Sequence, residues 1–193
     1  MTDKIREKWD QRYSTAEGKS ALPSAVLDEN RHLLPAGGKA LDMACGRGGN
    51  ALLLARSGFD VHAWDISPVA IRSLEETAGQ EGLNITTEVR DVIQQPPGAG
   101  TFDVITVSYF LERDLALPVS QALRHGGLLF YQTFIRDKVS PEGPDNPDFL
   151  LAENELLDLF SSLCVRVYRE EGSIGDPQRG FRNEAMLVAQ RLP

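Results

Sequence analysis

The chain has 193 residues, with 20 basic and 28 acidic side chains for a formal net charge of −8, a size that suits one well-cored domain rather than two. The shortage of base argues against a nucleic-acid partner or an anionic membrane surface, both of which are held by Lys and Arg. No apolar run approaches the ~20 residues of a membrane helix, and the charged stretch 1–9 lacks the apolar segment of a secretory signal. Two cysteines far apart, Cys45 and Cys164, make neither a disulfide framework nor a metal-ligand set, so no metal and a reducing cytoplasm are expected. Size is compatible with a monomer and leaves the oligomeric state open.

The acid is concentrated. Between Ser140 and Phe160, 21 residues carry six acids (Glu142, Asp145, Asp148, Glu153, Glu155 and Asp158) and no base.

The first 36 residues read as a helical cover. Ile5, Trp9 and Tyr13 recur at helical spacing, and a second segment starts at Pro23. From residue 37 strands and helices alternate. Lys39 to Met43 reads as a strand, Asn50 to Ser57 as a helix closed by Gly58, and Asp60 to Trp64 as a second strand. Ser67-Pro68 has the chemistry of an N-cap and first helical residue, and that helix ends near Gly82. Ile85 to Val89 and Phe102 to Val107 are the third and fourth strands. A helix over Pro118 to Arg124, a break at His125-Gly126-Gly127 and a strand from Leu128 to Phe134 complete the alternation. Residues 135–149 form an acidic flap punctuated by Pro141, Pro144 and Pro147. Residues 150–193 hold a helix capped by Asn154, then strands Leu163 to Arg169 and Arg182 to Arg191. A short link between those two strands permits a hairpin, so the last strand should be antiparallel. The expectation is one α/β domain, doubly wound, with a mostly parallel sheet covered by helices on both faces.

Ligands of such sheets bind at the carboxyl ends of the strands, near the point where strand order reverses. After the first strand comes Ala44-Cys45-Gly46-Arg47-Gly48-Gly49-Asn50, whose glycines permit a tight turn and close approach of a ligand. After the second comes Asp65, 19 residues beyond Gly46 and suited to ribose hydroxyls. After the third comes Asp91-Val92, where a carboxylate can accept from an exocyclic amine while Ile66 and Val92 sandwich a flat ring. Together these describe an adenosine site. Asp42, just ahead of the glycine loop, would repel a pyrophosphate and suit an ammonium. Ala51 stands where a dinucleotide fingerprint wants its third glycine. Both features favour a nucleoside joined to an amino acid over a nicotinamide cofactor.

The stretches Leu41–Asn50 and Val61–Ser67 resemble motif I and the following acidic motif of class I S-adenosylmethionine-dependent methyltransferases. Phe102-Asp103-Val104-Ile105 and Ala122–Leu129 are similar to that superfamily's fourth and fifth strands. Lys8–Tyr13, Tyr131–Phe134, Gly143–Pro147, Asn154-Glu155-Leu156 and Glu184–Ala189 resemble its tellurite-resistance methyltransferase-like branch. The resemblance implies a seven-stranded Rossmann-like sheet with a reversed last strand, and S-adenosyl-L-methionine as cofactor. It implies that Asp42 and the backbone of Ala44, Gly46 and Gly48 hold the methionine part. Asp65 would bind the ribose, Ile66 would cover the adenine, and Asp91 with the Val92 amide would read its edge. Trp9, Arg12 and Tyr13 would close over the carboxylate, and Ser108 and Tyr109 would face the methyl group.

A sulfonium methyl is already activated, so the protein mainly aligns nucleophile, methyl and sulfur and excludes water. His32, His62 and His125 lie within or before strands, away from the carboxyl edge, so no histidine base is expected there. A small acceptor with a soft or anionic nucleophile, a thiol or chalcogen oxyanion, suits these residues, with Tyr109, Gln132, Arg136 and Arg182 as candidate acceptor-side groups. Arg179 and Arg182 could equally pair with Glu170, Glu171 or the flap, and Cys45 reads as a packed small residue. A cofactor-binding sensor or scaffold without catalysis, and a nicotinamide-dependent oxidoreductase, are the competing readings.

Overall fold

The computed structural model describes residues 2–15 and 21–193; the parts of the N-terminal cover at 1 and 16–20 lie outside the described residues. Seven strands form one sheet in the order β3-β2-β1-β4-β5-β7-β6. They are β1 (Lys39–Met43), β2 (Asp60–Asp65), β3 (Ile85–Val89), β4 (Phe102–Ser108), β5 (Leu123–Phe134), β6 (Cys164–Glu170) and β7 (Glu184–Gln190). The first five pair in parallel. β7 runs antiparallel to both β5 and β6 and lies between them. The sheet therefore has the expected architecture, reversed last strand included.

Helices flank it: α1 (Thr2–Thr15), α2 (Ala25–Glu29), α3 (Gly49–Arg56), α4 (Pro68–Glu81), α5 (Ala116–Ala122) and α6 (Glu155–Leu159). Successive strand residues point to opposite faces, and both faces are packed. Ala40, Val104, Phe130 and Val188 join Val26, Leu52 and Leu74 on one side. Leu41, Ile105, Tyr131 and Leu187 join Val119, Leu156 and Phe160 on the other. Among the described residues, no helix is long and apolar enough to cross a membrane.

Helix α4 begins as its sequence dictates: the Ser67 hydroxyl accepts from the Ala70 amide, Pro68 stands in the first turn, and Gly82 closes the helix in the left-handed region. Three local expectations need correction. The fifth strand starts at Leu123 rather than Leu128, because buried Leu123 already pairs with Phe102 and the glycine pair is absorbed as a register irregularity inside the ladder. This also moves the preceding helix forward to Ala116–Ala122. Asn154 precedes α6 but has φ 60° and makes no side-chain cap; Glu155 instead accepts from the Ala152 amide at 2.7 Å. The connection between β6 and β7 is not short, since the strands end and begin at Glu170 and Glu184.

Candidate active site

β1 and β4 are neighbours, and the strand order reverses between them. Their carboxyl ends therefore open the crevice in which an α/β sheet binds its ligand. Side chains stitch this crevice together. Asn50, at the start of α3, donates to the Ser108 hydroxyl at 3.0 Å and to Asp42 at 3.4 Å, while its carbonyl accepts from the Ser24 amide at 2.8 Å. One amide thus ties α2, β1 and β4 at the switch point. Sequence reading passed over Asn50 as the last residue of the glycine loop. A buried polar residue at a helix start, with every donor and acceptor needing a partner, was the available signal.

The glycine loop turns where the sequence permits it. Gly46 and Gly48 have φ of 54° and 77°, and Ala44 shares the left-handed region at 55°. A Cβ on Gly46 would lie 2.8 Å from the Tyr13 hydroxyl, so the missing side chain is what lets α1 approach. Arg47 in turn donates to the Tyr13 carbonyl at 2.5 Å. Asp65, at the end of β2, reaches the same loop: one oxygen accepts from the Gly46 amide at 2.8 Å, the other from the Ser67 amide at 2.9 Å. Burial pushes its carboxyl above the usual range, and these two amides work against that shift.

Helix α1 crosses this edge. Tyr13 rests on Gly46, Trp9 stacks on Tyr13 with centroids 5.8 Å apart, and the Arg12 guanidinium lies 5.3 Å from the Trp9 ring centre. Asp10, which sequence reading did not single out, accepts from the Ser67 hydroxyl. The three residues expected to cover the cofactor are therefore together, on the helix that crosses the glycine loop.

Asp42 is placed differently from the expectation. Its side chain is 1% exposed, and its oxygens accept from the Thr106 hydroxyl at 2.9 Å and the Ala51 amide at 3.0 Å. Burial raises its pKa to about 7, against the pull of those donors. Asp42 thus braces the start of α3 from below rather than presenting a free carboxylate. Asp91 accepts from the amides of Ile93 and Gln94 at 3.0 and 3.3 Å. Val92 is buried in the core cluster and Ile66 is half-buried. Of the pair expected to sandwich a ring, Ile66 alone keeps part of its surface accessible.

The four acceptor-side candidates separate. Tyr109, just past β4, is 46% exposed, has φ 57°, and packs on Phe134 with ring centres 5.2 Å apart. Gln132 on β5 is 1% exposed; its carbonyl accepts from the Val26 amide at 2.7 Å and its amide donates to the Tyr109 hydroxyl at 3.1 Å. That same amide donates to Glu184, the first residue of β7, which sequence reading missed. The two arginines are engaged or exposed elsewhere. Arg182 donates to the carbonyls of Gly172, Asp176 and Arg179 at 2.8, 2.8 and 2.6 Å, folding the β6–β7 connection on itself, with Glu171 3.8 Å away. Arg136 is exposed, and its charge acts on Glu155. Neither guanidinium joins the Tyr109 cluster.

The acidic segment after β5 is fastened down. The Asn183 carbonyl accepts from the Val139 amide at 2.8 Å, and its amide donates to the Ser140 hydroxyl at 2.7 Å. Arg113, past β4, donates to Glu155 at 2.5 Å and to the carbonyls of Asp148 and Leu150 at 2.7 and 3.1 Å. Burial pushes the Cys45 thiol well above its usual range, so it is not an activated nucleophile.

Residues 40–127 match the family model of a methyltransferase domain. The chain is 29% identical over 175 residues to a Haemophilus influenzae (strain Rd) protein described as a probable S-adenosyl-L-methionine-dependent methyltransferase TehB, covering 86% of this chain and 58% of that protein. The protein of the same description from Haemophilus influenzae strain 10810 is 30% identical over 166 residues, 82% of this chain and 56% of the relative. The chain thus spans less than two thirds of the length of these curated relatives. The crystal structure of TehB from Haemophilus influenzae superposes with a TM-score of 0.70 at 26% identity, over 95% of this chain and 67% of that one. The glycine loop, Asp65 and the reversed seventh strand thus lie in one arrangement, in a chain whose residues 40–127 match a methyltransferase domain and which is similar over most of its length to proteins described as S-adenosylmethionine-dependent methyltransferases.

Proposed function

We propose that this chain transfers a methyl group from S-adenosylmethionine to a small-molecule thiol by in-line displacement. The described residues act as one methyltransferase domain, with 2–15 and 21–36 as cover, 37–134 as cofactor core, 135–149 as flap and 150–193 as C-terminal unit. In this reading Asp65 holds the ribose, the backbone of Ala44, Gly46 and Gly48 lies against the methionine part, and Ile66 with Asp91 and the Val92 amide takes the adenine. Trp9, Arg12 and Tyr13 of α1 exclude water from above, while Ser108 and Tyr109 face the methyl group. The cofactor supplies the activated methyl; the chain supplies alignment and dryness. Given the net charge, the acceptor is a free small molecule in the cytoplasm, without nucleic acid or membrane.

The observation that carries the thiol reading is the engagement of Arg182 by the carbonyls of the β6–β7 connection, with Glu184 inside the Tyr109 cluster. A carboxylate there would repel an oxyanion, whereas it would not repel an uncharged thiol. A chalcogen oxyanion is the second reading, favoured by the likeness to TehB. Release of S-adenosylhomocysteine, measured with a panel of thiols, tellurite and selenite, tests the choice. Turnover with thiols supports it, and turnover restricted to tellurite or selenite contradicts it. Tight cofactor binding with no turnover on any acceptor would favour a sensor or scaffold.

A further inference from the structure

Three polar side chains from three strands meet at the acceptor end of the sheet with no structural need for one of them. Gln132 alone satisfies the α2 backbone through Val26, and Tyr109 is held by its ring on Phe134 and by its amide, which donates to the Gln132 carbonyl at 2.8 Å. Glu184 adds a carboxylate to this cluster: the Gln132 side-chain amide donates both to Glu184 and to the Tyr109 hydroxyl, which brings the phenol and the carboxylate together on one donor. A half-buried carboxylate costs desolvation free energy unless it is paired and hydrogen-bonded, and Glu184 forms no ion pair among the described residues and accepts from a neutral amide. Tyr109 presents the other end of the cluster to solvent while holding a left-handed backbone, a conformation that tends to mark functional positions in non-glycine residues.

We propose that the Tyr109–Glu184 pair accepts the proton of the methyl acceptor, and that this site therefore takes neutral, protonated thiols. The inference rests on the thiol reading above. As the thiol sulfur attacks the methyl carbon, its S–H bond breaks and the proton passes to the Tyr109 oxygen, whose own proton moves to Glu184. The new S–CH3 bond forms while the methyl–sulfonium bond breaks, and the electron pair of that bond stays on the departing S-adenosylhomocysteine sulfur. The proton ends on the Glu184 carboxyl and is later lost to water. Tyr109 touches the acceptor; Glu184 acts through it, and Gln132 fixes both.

Burial raises the Glu184 carboxyl, and so does Glu142 of the flap, while the Gln132 and Tyr109 donors lower it. The same burial, with Glu184 beside it, pushes the Tyr109 phenol up to about 12, so the tyrosine relays a proton instead of being ionised itself. Among the described residues, Tyr109 and Glu142 are the titratable groups that face Glu184.

The test is Glu184→Gln, which keeps the shape of the side chain and removes the base, assayed against a thiol series of graded acidity at neutral pH. For thiols ionising above pH 9 the rate should fall about a hundredfold, and for those already ionised at pH 7 less than threefold. The acidic limb of the rate–pH profile should disappear in the variant. Tyr109→Phe should reproduce this dependence on thiol acidity with its ring packing intact. Equal losses across the series, or an unchanged profile, would overturn the relay and leave Glu184 a structural anchor. Absence of wild-type turnover across the whole series would sink the thiol reading together with the relay, whereas wild-type turnover with an indifferent variant sinks the relay alone.

Discussion

The Asp65 carboxylate and the Gly46 amide are 2.8 Å apart, which couples the end of β2 to the glycine loop after β1. The loop is therefore set by a side chain from the neighbouring strand, and the side chain proposed to hold the ribose is also a brace. Asp65→Ala removes both roles. It should weaken S-adenosylhomocysteine binding by more than tenfold, about 1.4 kcal/mol or more. Titration calorimetry checks this, and an unchanged affinity would contradict the placement of the ribose at Asp65.

Helix α1 offers an optical reporter. Trp9 stacks on Tyr13, whose hydroxyl lies against Gly46, so a ligand entering the loop must reach this aromatic pair. Trp64, the second tryptophan, is buried beneath the Arg90 guanidinium, 3.9 Å from its ring centre. Titration with S-adenosylhomocysteine should shift the tryptophan emission of the wild type and not that of Trp9→Phe. An equal shift in both would place the perturbation at Trp64.

Asp42 gives a dependence of stability on pH. Its carboxyl ionises near pH 3.8 when unfolded and at about 7 when folded, so the unfolded chain loses this proton first. The contribution of this group is fully present below the lower value and is lost as pH rises to the upper one. Its slope is at most about 1.4 kcal/mol per pH unit. Asp65, raised by the same cause, adds in the same direction. Denaturant unfolding between pH 4 and 8 should show a flatter profile for Asp42→Asn than for the wild type. Parallel profiles would mean the carboxyl titrates alike in both states.

Arg113 fastens the acidic segment by its bonds to Glu155, Asp148 and Leu150. Arg113→Ala should open that segment to limited proteolysis while leaving S-adenosylhomocysteine affinity within about twofold, because none of these contacts reaches the glycine loop. Neutralising Glu142, Asp145 and Asp148 together should change acceptor preference or its salt dependence. No change would make the segment ordinary solvated surface.

Much of this was legible because strand alternation and helix signals are local. Lys39–Met43 and Ile85–Val89 form strands at the residues read from sequence, and Ser67-Pro68 starts α4 as its chemistry requires. What stayed hidden depends on long-range register. Glu184 reads as the polar start of a strand until antiparallel pairing with β5 sets it opposite Phe134. Gln132 was the available clue, a polar residue inside the apolar run Leu128–Phe134, where a buried amide must find partners. Arg182 could be read either way because the path of the β6–β7 connection, and not the strand end, decides that its guanidinium lies by Glu171 and the connection's carbonyls.

The central claim is that the carboxyl edge of β1 and β2 holds S-adenosylmethionine. Calorimetric titration of the wild-type protein with S-adenosylhomocysteine and, separately, with NAD tests it most directly. Binding of the nucleoside with one site per chain, lost in Asp65→Ala, and no heat with NAD is the predicted result. Tight NAD binding with none for S-adenosylhomocysteine would contradict the account.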